Sequence, residues 1–280
     1  MTTRIERHDT FALDEALRGY VPPNFRASSI SLLRRLRDPD ADTMEIAEGV
    51  NANPALMVRL LQMVNSAAFG LDGKVTDARH AVCVLGRGRL ESLVLGLTVR
   101  EALPREPAAC FDDTRFWRGS LRRGALARSL AEQLHPAQAM ECFTIGVLQD
   151  MAVPVLAAAR GDDYAPVLRE WFSDSQQVPD LSVMENDAIG LTHGSVGRLL
   201  GEHWGIPEGI LHPIENHHDD SSEVLAAVRL VSFVREGERY PDVERIVEAA
   251  RQDHDLEPDH VVATVENAFQ QADELARQLR

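Results

Sequence analysis

The chain has 280 residues, of which 44% are hydrophobic and 26% charged, and its formal net charge is −15 at pH 7. That length can bury a substantial core in one large domain or two medium ones, and the composition is that of an ordinary soluble globular protein. The excess negative charge would repel a polyanion at long range, so it excludes a general nucleic-acid-binding function.

The N-terminal stretch "MTTRIERHDTFALDEALRGY" is charged throughout and lacks the apolar core of a signal peptide. We expect that no apolar run reaches the roughly 18 residues that a membrane span needs. We therefore expect a cytoplasmic protein with no membrane contact.

The first hundred residues show helical periodicity in short, closely connected segments, beginning with "RASSISLLRRLRDPD". The next segment, "DTMEIAEGVN", has Asp42 or Thr43 as its predicted N-cap, and "NPALMVRLLQMV" has Asn53 as N-cap with Pro54 at the first helical position. Two further helices are predicted in "ARHAVCVLG" and "GRLESLVLGLTVREAL". Short connections between amphipathic helices predict a compact helical bundle.

The second part of the chain follows the Pro-containing stretch "PREPAACFDDT" (104–114), which is the best candidate boundary. Helical patterns continue from "RFWRGSLRRGALARSLAEQL" to the terminal "PDHVVATVENAFQQADELARQLR". This last segment is strongly amphipathic, and we expect it to pack on its own chain. The whole sequence thus predicts an all-α fold with a C-terminal amphipathic helix.

Four residues of the second part could carry metal chemistry: Asp150, His193, His217 and His218. A catalytic metal needs about three such ligands and a position left open for water. The residue beside Asp150 is Gln149, whose neutral amide is a poor ligand for a transition metal, and this weakens the metal interpretation.

Each candidate also has a structural interpretation. Asp150, in what is interpreted as an apolar helix, could accept hydrogen bonds from a helix N-terminus or an arginine. His193 follows Thr192, a plausible N-cap, and so could simply begin a helix. His217 and His218 close a helix, where an imidazole is favoured by the helix dipole. We consider these structural roles the better explanation.

Several stretches together resemble the HDOD domain, a bacterial signalling module related to the HD and HD-GYP phosphohydrolases. They are "DPDADTMEIAEGVNANPALMVRLLQMVNSAAFGLDGKV", "AVCVLGRGRLESLVLGLTV", "GVLQDMAVPVL", "THGSVGRLLGEHWGIPEGI" and "IENHH". The resemblance covers roughly residues 20 to 236. It implies an N-terminal helical bundle packed on an HD-like helical domain. The implied division is 1–19 as an N-terminal segment, 20–110 as the bundle, 111–236 as a degenerate HD-like domain and 237–280 as a helical extension.

The resemblance also implies that most of the HD metal ligands have been lost. The first histidine of catalytic HD enzymes would fall at Gly119, the His-Asp doublet is Gln149-Asp150, and the late aspartate would fall at Ser232. His193 and His217 or His218 match extra histidines of HD-GYP-like sites, but no "GYP" follows. We therefore expect a remnant pocket of Gln149, Asp150, His193, His217 and His218, with no catalytic residue, no metal and no cofactor.

The expected function is that of a non-catalytic signalling or regulatory module that acts through protein contacts, because HDOD proteins take part in bacterial signal transduction. Its partners would bind in trans and belong to cyclic-dinucleotide or two-component systems. Two alternatives stay open at this stage. One is a metal-dependent phosphohydrolase acting on a nucleotide or cyclic dinucleotide. The other is a nucleotide sensor without turnover, whose phosphates would contact Arg118, Arg122 and Arg123.

Overall fold

The structure, a computed structural model, describes residues 12–69, 73–105, 108, 111–173, 178–220, 223–235 and 243–279. Within these ranges the regular elements are helices and no strand is present, which confirms the all-α prediction. The helices are α1 Ala27–Arg37, α2 Thr43–Asn51, α3 Pro54–Val64, α4 Ala78–Ala102, α5 Asp113–Leu134, α6 Ala139–Leu148, α7 Ala152–Trp171, α8 Leu181–Ile189, α9 His193–His203, α10 Glu208–Asn216, α11 Ala226–Val231, α12 Val243–His254 and α13 Pro258–Gln278.

Local capping signals place the first helices where the sequence predicts them. The Asp42 side chain accepts hydrogen bonds from the amides of Met44 and Glu45, and Glu45 returns the bond to complete a capping box at the start of α2. The Asn53 side chain accepts from the Leu56 amide, with Pro54 as the first residue of α3. The predicted pair of helices after residue 77 is present: α4 consists of two helical parts that meet at Gly86, whose backbone, with a φ of 73° and a ψ of 168°, is not helical.

Helices α5 and α6 pack backbone against backbone through two glycines. A Cβ atom on Gly124 would lie 2.9 Å from the Phe143 carbonyl oxygen and 2.4 Å from a Val147 methyl carbon. A Cβ atom on Gly146 would lie 2.9 Å from the Arg123 carbonyl oxygen. Only glycine allows this approach, which brings the middle of α5 against the end of α6.

Close contacts at glycines also join α9 to α10. A Cβ atom on Gly194 would lie 2.6 Å from the Glu215 carbonyl oxygen, and one on Gly201 would lie 2.0 Å from a Leu211 methyl carbon. The start of α9 is therefore held against the end of α10, and the histidines at these two positions meet.

The C-terminal helix α13 packs on α5, as predicted from its amphipathic pattern. Its Asp273 carboxylate accepts two hydrogen bonds from Arg122, at 2.8 and 2.6 Å. Buried apolar residues of all parts form one continuous cluster, from Leu13 to Leu279. The predicted domain boundaries stay predictions, and those at residues 110 and 236 lie outside the described residues.

A further contact links the residues just before α1 to the end of α9. The Trp204 indole N–H donates to the Pro23 carbonyl oxygen at 3.0 Å, and the Trp204 ring stacks on Phe25 with centroids 5.1 Å apart. Residues far apart in the sequence are thus joined by both a hydrogen bond and an aromatic stack.

The expectation that no apolar run is long enough for a membrane span is wrong, because one stretch meets the requirements of length and composition. The stretch Pro136–Trp171 is sufficiently long and apolar, but 89% of its apolar window is buried inside the molecule. Such burial is what a core helix of a soluble protein shows. The cytoplasmic location stays a prediction.

Candidate functional site

Asp150 does not lie within a helix, as the sequence interpretation had it, but in the turn between α6 and α7. Helix α6 ends at Leu148, and α7 begins at Ala152. Pro154 explains the break, because it has no N–H to donate to the Asp150 carbonyl four residues earlier. The Val153 amide donates to that carbonyl instead, at 2.9 Å. Because Asp150 lies in this turn, its carboxylate can project between neighbouring helices.

The Asp150 carboxylate forms a buried ion pair with Arg123 of α5. The distance from Arg123 Nη2 to Asp150 Oδ2 is 2.9 Å, and the two side chains are 0% and 7% exposed. Arg123 also donates to the Val234 carbonyl and to Ser120 Oγ. Burial favours the neutral acid, but the Arg123 guanidinium outweighs it and holds the pKa of Asp150 well below its usual range. The expected arginine partner of Asp150 is therefore present.

His193 is the first residue of α9, held in place by a carboxylate on α8. Thr192 caps the helix through a bond from the Ser195 amide, as predicted. Glu185 accepts from the His193 backbone N–H at 2.6 Å and faces its Nδ1 at 2.7 Å. The other Glu185 oxygen accepts a hydrogen bond from the Tyr164 hydroxyl. This second carboxylate fixes the orientation of a fully buried imidazole.

His217 and His218 follow the last residue of α10, and each has its Nδ1 held by an oxygen. His217 Nδ1 lies 2.7 Å from the Ile214 carbonyl oxygen, and His218 Nδ1 lies 3.1 Å from an Asp180 carboxylate oxygen. A carbonyl oxygen can only accept, so Nδ1 of His217 carries the hydrogen and Nε2 has the lone pair in the neutral ring.

The free edges of the three imidazoles face one another, and those of His193 and His217 also face Asp150. His193 Nε2 lies 3.1 Å from His217 Nε2 and 3.2 Å from His218 Nε2. Asp150 Oδ1 lies 3.4 Å from Nε2 of both His193 and His217. We refer to Asp150, His193, His217 and His218 as the polar tetrad. Four of the five residues predicted for the remnant pocket thus meet at one point.

The two fully buried histidines have opposite electrostatic environments. Burial opposes protonation of His193, but the charge of Glu185 outweighs it and, with Asp150, raises the pKa of His193 to about 9. Burial and the neighbouring His218 lower the pKa of His217 to about 3, although Asp150 acts against them. The imidazoles of the tetrad therefore differ in charge at neutral pH.

Comparison with known proteins identifies the fold. Residues 23–220 match the HDOD domain, which is most of the chain. The chain belongs to the HDOD family. A protein of Treponema pallidum (strain Nichols), described as uncharacterized, is 24% identical over 200 residues; the match covers 70% of this chain and only 37% of that protein.

Three solved structures share the fold of this HDOD chain. One from Shewanella amazonensis SB2B, named provisionally as a phosphohydrolase, has a TM-score of 0.73 at 20% identity and covers 96% of this chain and 98% of its own. An HDOD domain protein of unknown function from Geobacter sulfurreducens has a TM-score of 0.70 at 20% identity, with 97% and 99% covered. One from Marinobacter aquaeolei VT8, named provisionally as a signal transduction protein, has a TM-score of 0.69 at 18% identity, with 97% and 65% covered. The TM-scores establish a common fold.

The HD ligand set does not fit this HDOD chain. Gly119 is buried in α5 and has no side chain to offer, and the Ser232 hydroxyl donates to the Arg229 carbonyl oxygen. Gln149 is 1% exposed, and its amide oxygen accepts no hydrogen bond from the part of the chain that the structure describes. The guanidinium of Arg123 already occupies one oxygen of Asp150. Of the four HD ligand positions, Gly119, Gln149, Asp150 and Ser232, only Asp150 therefore has a ligand atom to offer a metal, its second carboxylate oxygen.

The three arginines predicted to contact an anion have different environments. Arg122 is paired with Asp273 and Arg123 with Asp150, so both have carboxylate partners within the chain. Arg118 instead lines a cavity of about 460 Å³ near the start of α5. The structure thus separates Arg118 from the other two.

Sequence reasoning missed Glu185, Tyr164 and Asp180. Glu185 lies four residues after the buried Leu181 and next to the buried Met184, so an acid stands on the apolar face of α8. That misplaced charge is the signal that could have revealed it. Nothing comparable marks Asp180, which caps α8 through the Ser182 amide and also holds His218.

Proposed function

We propose that this HDOD protein is a non-catalytic regulatory module of bacterial signal transduction, acting through contacts with other proteins. One observation carries the non-catalytic part: the remaining HD aspartate, Asp150, is ion-paired with the buried Arg123. A guanidinium in contact with this carboxylate supplies the positive charge that a catalytic cation would otherwise provide. With no ligand from Gly119, Gln149 or Ser232, water activation by an HD-type metal pair is not available.

Burial supports the same proposal. Asp150 is 5% exposed, His217 1% and His193 0%, so a phosphoester would have no direct access to the tetrad. His218, whose side chain is 19% exposed, forms the outer side of the group. A phosphohydrolase needs both an open coordination position and a route for its substrate.

The test is a turnover assay of the full chain against p-nitrophenyl phosphate, nucleotides and cyclic dinucleotides, each with added manganese, iron or zinc. We expect no product above the protein-free rate. Phosphate release that is abolished by a chelator and by Asp150→Ala, in a variant that keeps its circular dichroism, would establish the phosphohydrolase alternative instead.

The partner side of the proposal is tested separately. Receiver-domain and cyclic-dinucleotide signalling proteins of the same genome are expected to include a direct binder, measured with purified components by calorimetry. If none of these classes binds the folded chain, the proposed pathway is wrong even where turnover is absent.

A second candidate function, anion sensing without turnover, is favoured by the Arg118 cavity. Five arginines line it: Arg59, Arg100, Arg105, Arg118 and Arg277. Arg59 is paired with Glu101 and Arg277 with Glu274. On Arg100, one terminal guanidinium nitrogen is buried without a hydrogen bond acceptor from the described residues, and burial together with Arg59 lowers the pKa of this group. A phosphate would satisfy such a donor.

For this candidate we expect pyrophosphate to raise the Tm of the wild type and of Arg34→Ala, an exposed control on α1. Arg118→Ala and Arg100→Ala should abolish that rise. An equal rise in all four proteins would show that the cavity is not the binding site.

A further inference from the structure

We infer that the Arg118 cavity binds a small organic phosphate whose short apolar end enters a recess beside Gly96. This inference rests on the anion-sensing candidate proposed above and names the class of its ligand, a dianionic phosphate head that carries a short alkyl group. The site lies between α3, α4, α5 and the end of α13, and it includes no residue of the polar tetrad.

The recess is an apolar space that adjoins the cavity. It has a volume of about 20 Å³ and shares four lining residues with the cavity, namely Arg100, Trp117, Leu121 and Leu279. Buried apolar side chains form most of its wall: Met63, Leu93, Leu97, Leu121, Phe143 and Val147. A space needs roughly 10–15 Å³ to hold a water-sized group, and one lined in this way stays dry. A methyl-sized apolar group therefore fits, whereas a charged group would lose its hydration there.

Gly96 keeps room beside the recess. It lies on α4 one turn before Arg100, so the two residues share a face of the helix. A Cβ atom on Gly96 would meet nothing within 4 Å beyond its chain neighbours and the backbone of α4. Glycine inside a helix is destabilising relative to alanine, and close packing of the kind seen at Gly124 and Gly146 does not account for it here. The open space next to Arg100 is thus available to a ligand.

Arg100 places a hydrogen bond donor where the two spaces meet. Its Nη1 atom is buried without an acceptor from the described residues, and its Nη2 atom makes only a long bond of 3.4 Å to the Leu279 carbonyl oxygen. The guanidinium carbon lies 5.2 Å from the centroid of the Trp117 ring, and this contact fixes the position of the group. An anionic oxygen on Nη1 would satisfy the donor and set the head of a ligand next to the recess.

The charges of the lining indicate a head with two negative charges. Three ion pairs neutralise other charged residues of the lining: Arg59–Glu101, Arg277–Glu274 and Arg122–Asp273. Arg100, Arg105 and Arg118 have no carboxylate within ion-pairing distance in the part of the chain that the structure describes. Asp113 lacks a basic partner and accepts from the Trp117 indole N–H. Three guanidiniums against one carboxylate leave two positive charges, which a phosphate monoester balances at neutral pH.

The experiment compares ligands that differ only in one part. Binding of inorganic phosphate, ethyl phosphate, phenyl phosphate and propionate to the full chain is measured by calorimetry at one ionic strength. We expect ethyl phosphate to bind about 4–15-fold more tightly than inorganic phosphate, because each buried methylene group strengthens binding about fourfold. Phenyl phosphate should bind less tightly than ethyl phosphate, because its ring exceeds the recess. Propionate should also bind less tightly, because it has the same ethyl group but a single charge.

Variants on α4 separate the head from the apolar end. Gly96→Leu fills the recess with a residue that helices tolerate well, and it should bind inorganic phosphate and ethyl phosphate equally. Gly96→Ala should reduce the preference for ethyl phosphate. Gly88→Leu is the matched control, because its surroundings are equally open and it lines neither space, so it should keep the wild-type preference. Arg100→Ala should lose both phosphates.

The results distinguish this inference from the anion-sensing candidate, given circular dichroism that shows each variant folded. If inorganic phosphate binds through Arg100 but ethyl phosphate binds no more tightly, the anion site stands and the inference is wrong. The inference is equally wrong if Gly96→Leu keeps the preference, or if phenyl phosphate or propionate binds most tightly. If none of the four ligands binds the wild type, the anion-sensing candidate fails and the inference fails with it.

Discussion

The first four helices and the helices from α5 to α11 are built on different cores. In residues 27–102 the buried polar side chains are uncharged, namely Ser29, Asn53, Ser66 and Thr98. The buried charged residues of the described ranges all come later, as Arg122, Arg123, Asp150, Glu185, His193 and His217. Burying a charge costs several kcal/mol before its partners compensate. The first part is held by apolar packing with uncharged polar groups, whereas the second part buries charged groups that have to compensate one another.

The strongest challenge to that contrast is the removal of Arg123. Arg123→Met leaves the Asp150 carboxylate buried without its cation, and we expect a loss of about 3–5 kcal/mol in the free energy of unfolding, measured with urea. The double variant Arg123→Met with Asp150→Leu should recover much of that loss, because no lone charge remains. Arg34→Ala in the first part should change stability by less than about 0.5 kcal/mol. A loss below about 1 kcal/mol for Arg123→Met would mean that the pair is not an essential part of the core.

The next largest effect on stability is expected from replacing a glycine at a helix contact. Gly146→Ala forces α5 and α6 apart, and we expect a loss of about 1–3 kcal/mol. Gly96→Ala on α4 is the matched change, because nothing lies within 4 Å of the added Cβ, and it should be neutral or stabilise by up to about 1 kcal/mol. Equal effects in thermal unfolding would show that backbone contact does not distinguish the two parts.

Helix caps should behave alike in both parts. Asp42→Ala on α2 leaves two helix-end amides without their acceptor and Thr192→Ala on α9 leaves one, and we expect each change to cost about 1 kcal/mol. A cost above about 3 kcal/mol for Thr192→Ala alone would indicate that the position of His193, and with it the whole polar centre, depends on this cap.

The smallest expected effect is a difference in reactivity between two cysteines. Burial, with Glu141 nearby, raises the pKa of the Cys142 thiol to about 12, whereas Cys83 on α4 is exposed. Because the thiolate is the reactive form, Cys142 should resist alkylation at pH 8 until the chain unfolds, and Cys83 should react in the native protein. Peptide mapping by mass spectrometry would detect the opposite order.

Local signals in the sequence predicted the elements well. Asp42, Asn53 and Thr192 cap their helices as expected, because each cap involves residues at most three positions away. The amphipathic C-terminal helix packs on its own chain, since its apolar stripe has to be buried. The break before α7 was missed, although Pro154 marks it four residues after Asp150.

The site was only partly predictable because it depends on contacts between distant residues. The histidines and Asp150 are visible as residue types, but Arg123 was assigned to an anion and Glu185 was overlooked. Their roles follow from two close helix contacts, at Gly146 and Gly194, which no local pattern specifies. Charged residues on otherwise apolar helix faces are the remaining clue, and both Arg123 and Glu185 are of this kind.

The stack of Trp204 on Phe25 gives the molecule a built-in optical reporter. Indole emission depends on its immediate surroundings, so a change in how Pro23 and Phe25 pack against the end of α9 would alter the fluorescence of this one residue. Replacing Trp117 and Trp171 by phenylalanine would isolate that signal. The association of chain segments 181 residues apart could then be followed in real time without any attached dye.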